Sequence, residues 1–146
     1  MHVQPYLFFD GRCEEALEFY RNTLGAEITA LMHFKDNPDF KDGSAPTEGC
    51  MGPQYSDDKV MHASFHLGDT TVMVADGQCR GQPNFQGFSL AITVSEKDEA
   101  ERLFTALGEG GQVQMPLAET FFSPRFGMVA DKFGVSWMIV VEMMKA

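Results

Sequence analysis

The sequence runs through one pattern twice. In the first copy, Pro5 to Phe9 suits a buried strand, and Asp10-Gly11 can turn the chain and cap a helix start. Cys13, Ala16, Leu17, Tyr20 and Leu24 then mark one helix face, with Glu14, Glu15 and Glu18 on the other and Gly25 as the expected stop. Ala26 to Phe34 has strand character, and Val60 to Leu67 with Thr70 to Ala75 reads as a hairpin around Gly68-Asp69. In the second copy Phe88 to Val94 alternates as a strand, and Ser95 with Asp98 makes a variant capping box. Ala100, Leu103, Phe104 and Leu107 form a helical stripe ended by Gly108. Gln112 to Met115, Gly127 to Ala130 and Val135 to Val141 supply three more strands, the last two joined through Asp131-Lys132-Phe133-Gly134. Superposing Glu15-Ala16 on Glu99-Ala100 sets Phe19 on Leu103, Tyr20 on Phe104 and Pro5 on Ser89. The expectation is an α+β fold of two tandem β-α-β-β-β modules, about 1–80 and 85–146, within a single domain of 1–146. Two stretches fall outside the repeat: Lys35 to Asp58, long enough to be functional or mobile, and the aromatic Glu119 to Gly127.

Composition narrows the partners. With 21 acidic against 11 basic side chains the formal charge is −10, which repels nucleic acid and argues against a basic membrane-surface role. The 13 Phe and 10 Met supply ample core material, so disorder is excluded. Trp137 to Val141 is the longest apolar run, far below the about 20 residues that span a bilayer. Neither a signal-peptide pattern nor a cysteine framework is present. Cys13, Cys50 and Cys79 are odd in number and show no C-x-x-C spacing, which suits a reducing, cytoplasmic setting.

The doubled modules resemble the vicinal oxygen chelate superfamily, which holds glyoxalase I, bleomycin- and fosfomycin-resistance proteins and extradiol dioxygenases. Within it the chain most resembles the PhnB-like proteins. The likeness rests on Pro5-Tyr6-Leu7 with Glu15-Ala16-x-x-Phe19-Tyr20, on His62-Ala63, and on Thr120-Phe121-Phe122-x-x-Arg125-Phe126-Gly127 running to Asp131-Lys132-Phe133-Gly134-Val135-Ser136-Trp137. It implies mixed sheets that curl into a cup with the helices on the outer face, and a homodimer. In metal-using members the cup holds one divalent ion between ligands near the first and fourth strands of each module. Carried over by register, those positions are Pro5, Met73, Ser89 and Met138, none a His or Glu, so no metal and no other cofactor is expected. A register error of one residue, to Gln4, Tyr6, Leu90 or Trp137, does not restore a ligand set.

Alternation assigns Ser89, Ala91 and Thr93 to the cup interior and Phe88, Leu90, Ile92 and Val94 to the helix side. By the same superposition Pro5, Leu7 and Phe9, and on the last strand Ser136, Met138 and Val140, also face inward. His62, Ser64 and His66 share one face, but His62 and His66 stand roughly 13 Å apart and cannot hold one ion. Either can act as a base or ligand contact, or be satisfied within the fold. Arg125, set among aromatics, either grips an anion or stacks on a planar ligand, or else pairs with a surface carboxylate. The candidate ligand-binding set is His62, Ser64, Met73, Ser89, Ala91, Phe122, Arg125 and Met138, with catalytic residues and metal ligands unassigned.

A small-molecule-binding protein without the usual metal ligands is the leading expectation. The alternative is a PhnB-like enzyme, metal-independent or with an atypical metal site, acting on a small anionic or planar substrate. A demethylubiquinone methyltransferase label, sometimes attached to such proteins, finds no support in the residues, because no strand, Gly-rich turn and helix unit for a nucleotide cofactor is present.

Overall fold

The computed structural model describes residues 1–36, 59–77 and 85–142. Most of the Lys35–Asp58 stretch, Cys50, Cys79 and Met143-Met144 lie outside the described residues. The chain divides into two compact units, 1–83 and 84–146.

In the first unit β1 (Tyr6–Phe8), α1 (Cys13–Leu24), β2 (Glu27–His33), β3 (Val60–Leu67) and β4 (Thr70–Ala75) follow in order, with a single 3-10 turn at Phe34–Asp36. The second unit holds β5 (Leu90–Val94), α2 (Lys97–Gly108), β6 (Gln112–Ala118), β7 (Phe126–Ala130) and β8 (Ser136–Val141). The sheets have the same plan, β1-β4-β3-β2 and β5-β8-β7-β6. In each, the first strand runs parallel to the fourth and the other pairs are antiparallel. Among the described residues, two mixed four-stranded sheets with one helix each bear out the tandem β-α-β-β-β expectation. The two helices are both twelve residues long and coincide under the superposition drawn from Glu15-Ala16 and Glu99-Ala100. Among the described residues no helix is long and apolar enough to cross a membrane.

Each helix buries one stripe against its sheet. Cys13, Ala16, Leu17 and Tyr20 are the buried residues of α1, and Tyr20 packs between Phe9 and Phe65, ring centres 6.1 and 5.8 Å away. Full burial of a side chain the size of Leu17 contributes about 2 kcal/mol. In α2 Ala100, Leu103 and Leu107 are buried, over a sheet whose core face carries Val129, Trp137 and Ile139. Gly25 ends α1 in the left-handed region, φ 69, and its N–H donates to the Tyr20 carbonyl. Gly108, the expected stop of α2, is instead its last helical residue, followed by extended Glu109.

Neither expected cap is made by its local side chain. The N-cap of α1 is Arg12 and that of α2 is Glu96, both without a side-chain cap bond. Ser95 stands one residue before the N-cap, out of register for the first free amides of α2. In α1 the work passes to Asp76, just beyond β4. Its Oδ1 accepts from Gly11 N at 3.0 Å and Cys13 N at 2.7 Å, and its Oδ2 from Val60 N at 2.6 Å. A carboxylate at a helix N-terminus is favoured by the helix dipole.

One expectation is overturned. Leu7 and Phe9 do not face away from the helix: they are 2% and 0% exposed and sit on its side, with Leu7 in register with Val74 and Ala63. Tyr6 and Phe8 occupy the opposite face, 38% and 55% exposed. Pro5 precedes β1 and uses its carbonyl to accept from Met73 N. The reason lies in the strand-to-helix connection. The last core residue of the first strand, Phe9 or Val94, is followed by three residues before α1 but only two before α2. Asp10 and Gly11, at φ 55 and 108, absorb the extra residue. An alignment that matches the helices therefore slips the strands by one, and a slip of one reverses every side chain.

Candidate functional site

The faces turned away from the helices carry the candidate residues. In the first unit Tyr6, Met73 and Ser64 lie in register across β1, β4 and β3. The Tyr6 ring stacks on Phe8, centres 5.0 Å apart and planes 26° apart. Its hydroxyl meets His62 Nδ1 at 2.9 Å, reaching diagonally across β4 past Ala75, which is 3% exposed. Burial first, and the Cys13 thiol second, raise the Tyr6 phenol above its usual range. Ser64 Oγ and Thr29 Oγ1 form a hydroxyl pair at 2.8 Å. His66 is exposed at the far end of β3. This face is an aromatic layer with a phenol, an imidazole and two hydroxyls.

The second unit presents different chemistry. Ala91, Met138 and Met128 are in register across β5, β8 and β7, and Met115 continues the row on β6. Thr93, Val140 and Phe126 form the next row. At the margin Ser136 Oγ donates to Gln114 Oε1 at 2.8 Å and meets Ser89 Oγ at 2.7 Å, so the Ser89 proton points to Ser136. Thioethers beside small and β-branched residues make an adaptable apolar surface with a neutral polar rim. Phe122 leans edge-on against Phe126 at 5.1 Å, with Phe121 against it in turn at 5.2 Å.

Arg125 points elsewhere. Its Nη1 donates to the Pro124 carbonyl at 2.9 Å and its Nε lies 3.7 Å from Glu101 Oε1 on α2. Of the two roles expected for it, pairing with a carboxylate is the one seen in this geometry. His33 is likewise engaged, by Glu14 through Nε2 and by Asp36 at 3.8 Å from Nδ1. Cys13 is fully buried, and burial, then the charges of Asp76 and Glu14, push its thiol far up, which leaves it unreactive. Among the described residues no group of three or more His, Cys, Asp and Glu is placed to hold a metal ion.

The structure thus brings His62, Ser64 and Met73 to one face, and Ser89, Ala91 and Met138, with Phe122 nearby through Phe126, to the other. Tyr6, Phe8, Gln114 and Met128 were missed by sequence reasoning. The signal that finds Tyr6 and Phe8 is the extra residue at Asp10-Gly11; Gln114 and Met128 needed the strand pairings.

Two β-α-β-β-β units with this strand order define a vicinal oxygen chelate protein. A glyoxylase/bleomycin resistance protein/dioxygenase domain from Frankia sp. shares the fold at 15% identity and a TM-score of 0.60. The family model described as 3-demethylubiquinone-9 3-methyltransferase matches residues 1–140, and the chain belongs to that PhnB-like family. The chain is 37% identical to protein YjdN of Escherichia coli over 142 residues, 97% of this chain and 95% of that one. The crystal structure of protein PA1353 from Pseudomonas aeruginosa matches at 39% identity and a TM-score of 0.80, covering 97% and 98% of the two chains. The PhnB protein from Bacillus cereus matches at 28% identity and a TM-score of 0.76, covering 97% and 99%.

Proposed function

We propose that the chain binds a neutral, planar small molecule on the helix-averted faces of its sheets, without a metal ion. The reading is carried by the chemistry of those faces: a stacked Tyr6–Phe8 pair in one unit, a row of methionines in the other, and an imidazole, hydroxyls and an amide beside them. Such surfaces, mostly apolar with a few placed polar groups, suit ligand sites. Each face is taken by itself as a wall of the kind of cup that the fold class forms, and the chain as a homodimer. Both remain part of the proposal.

A divalent ion fits this donor set poorly. Where the fold class would place ligands stand Tyr6 or Pro5, Met73, Ser89 or Ala91, and Met138. These supply no carboxylate, thiolate or imidazole, and thioether sulfur suits soft copper rather than Mg, Mn, Zn or Fe. An anionic ligand is disfavoured too, because the one arginine singled out for it is turned toward Glu101. The methyltransferase named in the family description would need a site for a methyl donor. The described residues offer no strand, Gly-rich turn and helix unit of the nucleotide-binding kind.

A thermal-shift and calorimetric screen tests the reading. Neutral planar aromatics should stabilise the protein, and the effect should fall with Met138→Ala or Phe8→Ala. Phosphate or methylphosphonate stabilising through Arg125, lost in Arg125→Ala, would replace it with an anion site. Tight binding of one Zn²⁺, Mn²⁺, Ni²⁺ or Fe²⁺ per cup, lost in His62→Ala, would overturn the metal-free part.

A further inference from the structure

We propose that Tyr6 is a positioning residue that holds His62 in one tautomer, so that its Nε2–H reads a hydrogen-bond acceptor, such as a carbonyl, on the edge of a planar ligand. The inference rests on the ligand face proposed above and assigns that face its polar specificity.

The geometry starts from the 2.9 Å contact between Tyr6 Oη and His62 Nδ1. That contact fits two proton arrangements, and the chemistry of the groups chooses between them. A phenol is the stronger acid and the better donor, whereas neutral imidazole nitrogen is the better acceptor. The partly buried phenol also keeps its proton. With Tyr6 donating, Nδ1 carries no hydrogen and Nε2 carries it. His62 Nε2 has no partner among the described residues, so this donor remains available. The two rings are also in contact, centres 5.6 Å apart and planes tilted by 45°, which limits rotation of the imidazole.

What surrounds the donor sets the ligand class. Phe8 stacks on Tyr6 and is more than half exposed, so it offers aromatic surface to a ligand. Met73 lies in register beside Tyr6. Ala75, in register with Phe8 on β4, is small enough for the phenol to reach over it to β3. A flat ring laid on Phe8 and Met73 with an acceptor at its rim satisfies both the apolar surface and the single directed donor. A site built to donate a hydrogen bond penalises a ligand lacking the acceptor, because the donor is then left unpaired.

Imidazole ¹⁵N spectra of uniformly labelled protein test the first step without any ligand. The resonances of His62, identified by their loss in His62→Gln, should show the Nε2–H tautomer alone. In Tyr6→Phe, which keeps the ring, both tautomers should appear in exchange. A dominant Nδ1–H tautomer in the unaltered protein, or a tautomer unmoved by Tyr6→Phe, overturns the assignment; a purely packing role for Tyr6 would leave it unmoved. A thermal melt confirms that Tyr6→Phe remains folded. The second step uses 2-acetylnaphthalene and 2-ethylnaphthalene, alike in shape but differing in the acceptor. The ketone should bind roughly tenfold tighter, the preference should vanish in His62→Gln, and the Nε2–H signal should shift with the ketone only. Equal affinities overturn the recognition role while the tautomer result stands. If neither compound binds, the proposed ligand face itself fails, and the spectra still decide what Tyr6 does.

Discussion

The two units share strand order, helix length and a buried aspartate, yet the aspartates hold different things. Asp76 joins three separate places in the first unit: the turn before α1, the first residue of α1 and the start of β3. Asp131 accepts bonds close to the β7–β8 turn. Its Oδ1 accepts from Phe133 N and Val135 N at 2.9 and 3.1 Å, and its Oδ2 from the Trp137 indole at 2.9 Å. The difference follows from the connection between first strand and helix. The first unit needs an extra residue there, with Asp10 and Gly11 at positive φ, and a distant carboxylate satisfies the amides this exposes. The second unit makes the same passage in two residues, and its carboxylate serves the β7–β8 turn. A repeated plan thus tolerates unlike fastenings, because each buried polar group must be satisfied but not by an equivalent partner.

The largest expected effect is from Asp76→Ala. Three buried or half-buried amides lose their acceptor, and we expect a loss of about 4 kcal/mol in urea unfolding. Amide exchange should quicken at Gly11, Cys13 and Val60, and so across the start of both α1 and β3. Asp131→Ala should cost less, about 2–3 kcal/mol, with faster exchange confined to the β7–β8 turn. The turn keeps two backbone bonds of its own, Asp131 N to the Val135 carbonyl at 2.9 Å and Gly134 N to the Asp131 carbonyl at 2.9 Å. An Asp131→Ala loss equal to or above that of Asp76→Ala would break the contrast drawn between the units.

The smallest effect separates the helix ends. Gly25→Ala has open space around the new methyl but must hold φ 69, so a loss of about 1 kcal/mol is expected. Gly108→Ala sits in ordinary helical backbone, where alanine is favoured by up to about 1 kcal/mol, against one close contact of 3.2 Å with a Val129 methyl. The two effects nearly cancel, and a melting shift clearly smaller than that of Gly25→Ala should result. Equal shifts would mean that the ends of the helices are alike after all.

Much of the fold was legible in the sequence. The hairpin β3–β4 was read with both its strand ends, because strict alternation meets Gly68-Asp69 at a two-residue turn. Four residues of the α1 stripe, Cys13, Ala16, Leu17 and Tyr20, were read correctly, since they can share a face only in a helix, whereas the fifth, Leu24, is half-buried at its end. Less of the candidate site was legible. Ala91 and Met138 were placed correctly on the helix-averted face, because β5 and β8 each have one bulky and one lighter side. Across β1 and the residue after it, Tyr6 to Phe9, every side chain is large and apolar or aromatic, so alternation offers nothing to choose between the faces. The choice was borrowed from the second copy and came out reversed. Arg125 shows the other kind of gap: Phe121, Phe122 and Phe126 stand near it in sequence, whereas its carboxylate, Glu101, lies on α2.

The sequence by itself determined which segments become strands and helices, their order, and the duplication, because these follow from periodicities of two and 3.6 residues along the chain. Only the tertiary structure decided which side of β1 turns from the helix, which carboxylate completes α1, and that Tyr6 meets His62. Those depend on contacts between residues 56 to 65 positions apart, and on one additional residue in a turn whose conformation no local pattern dictates.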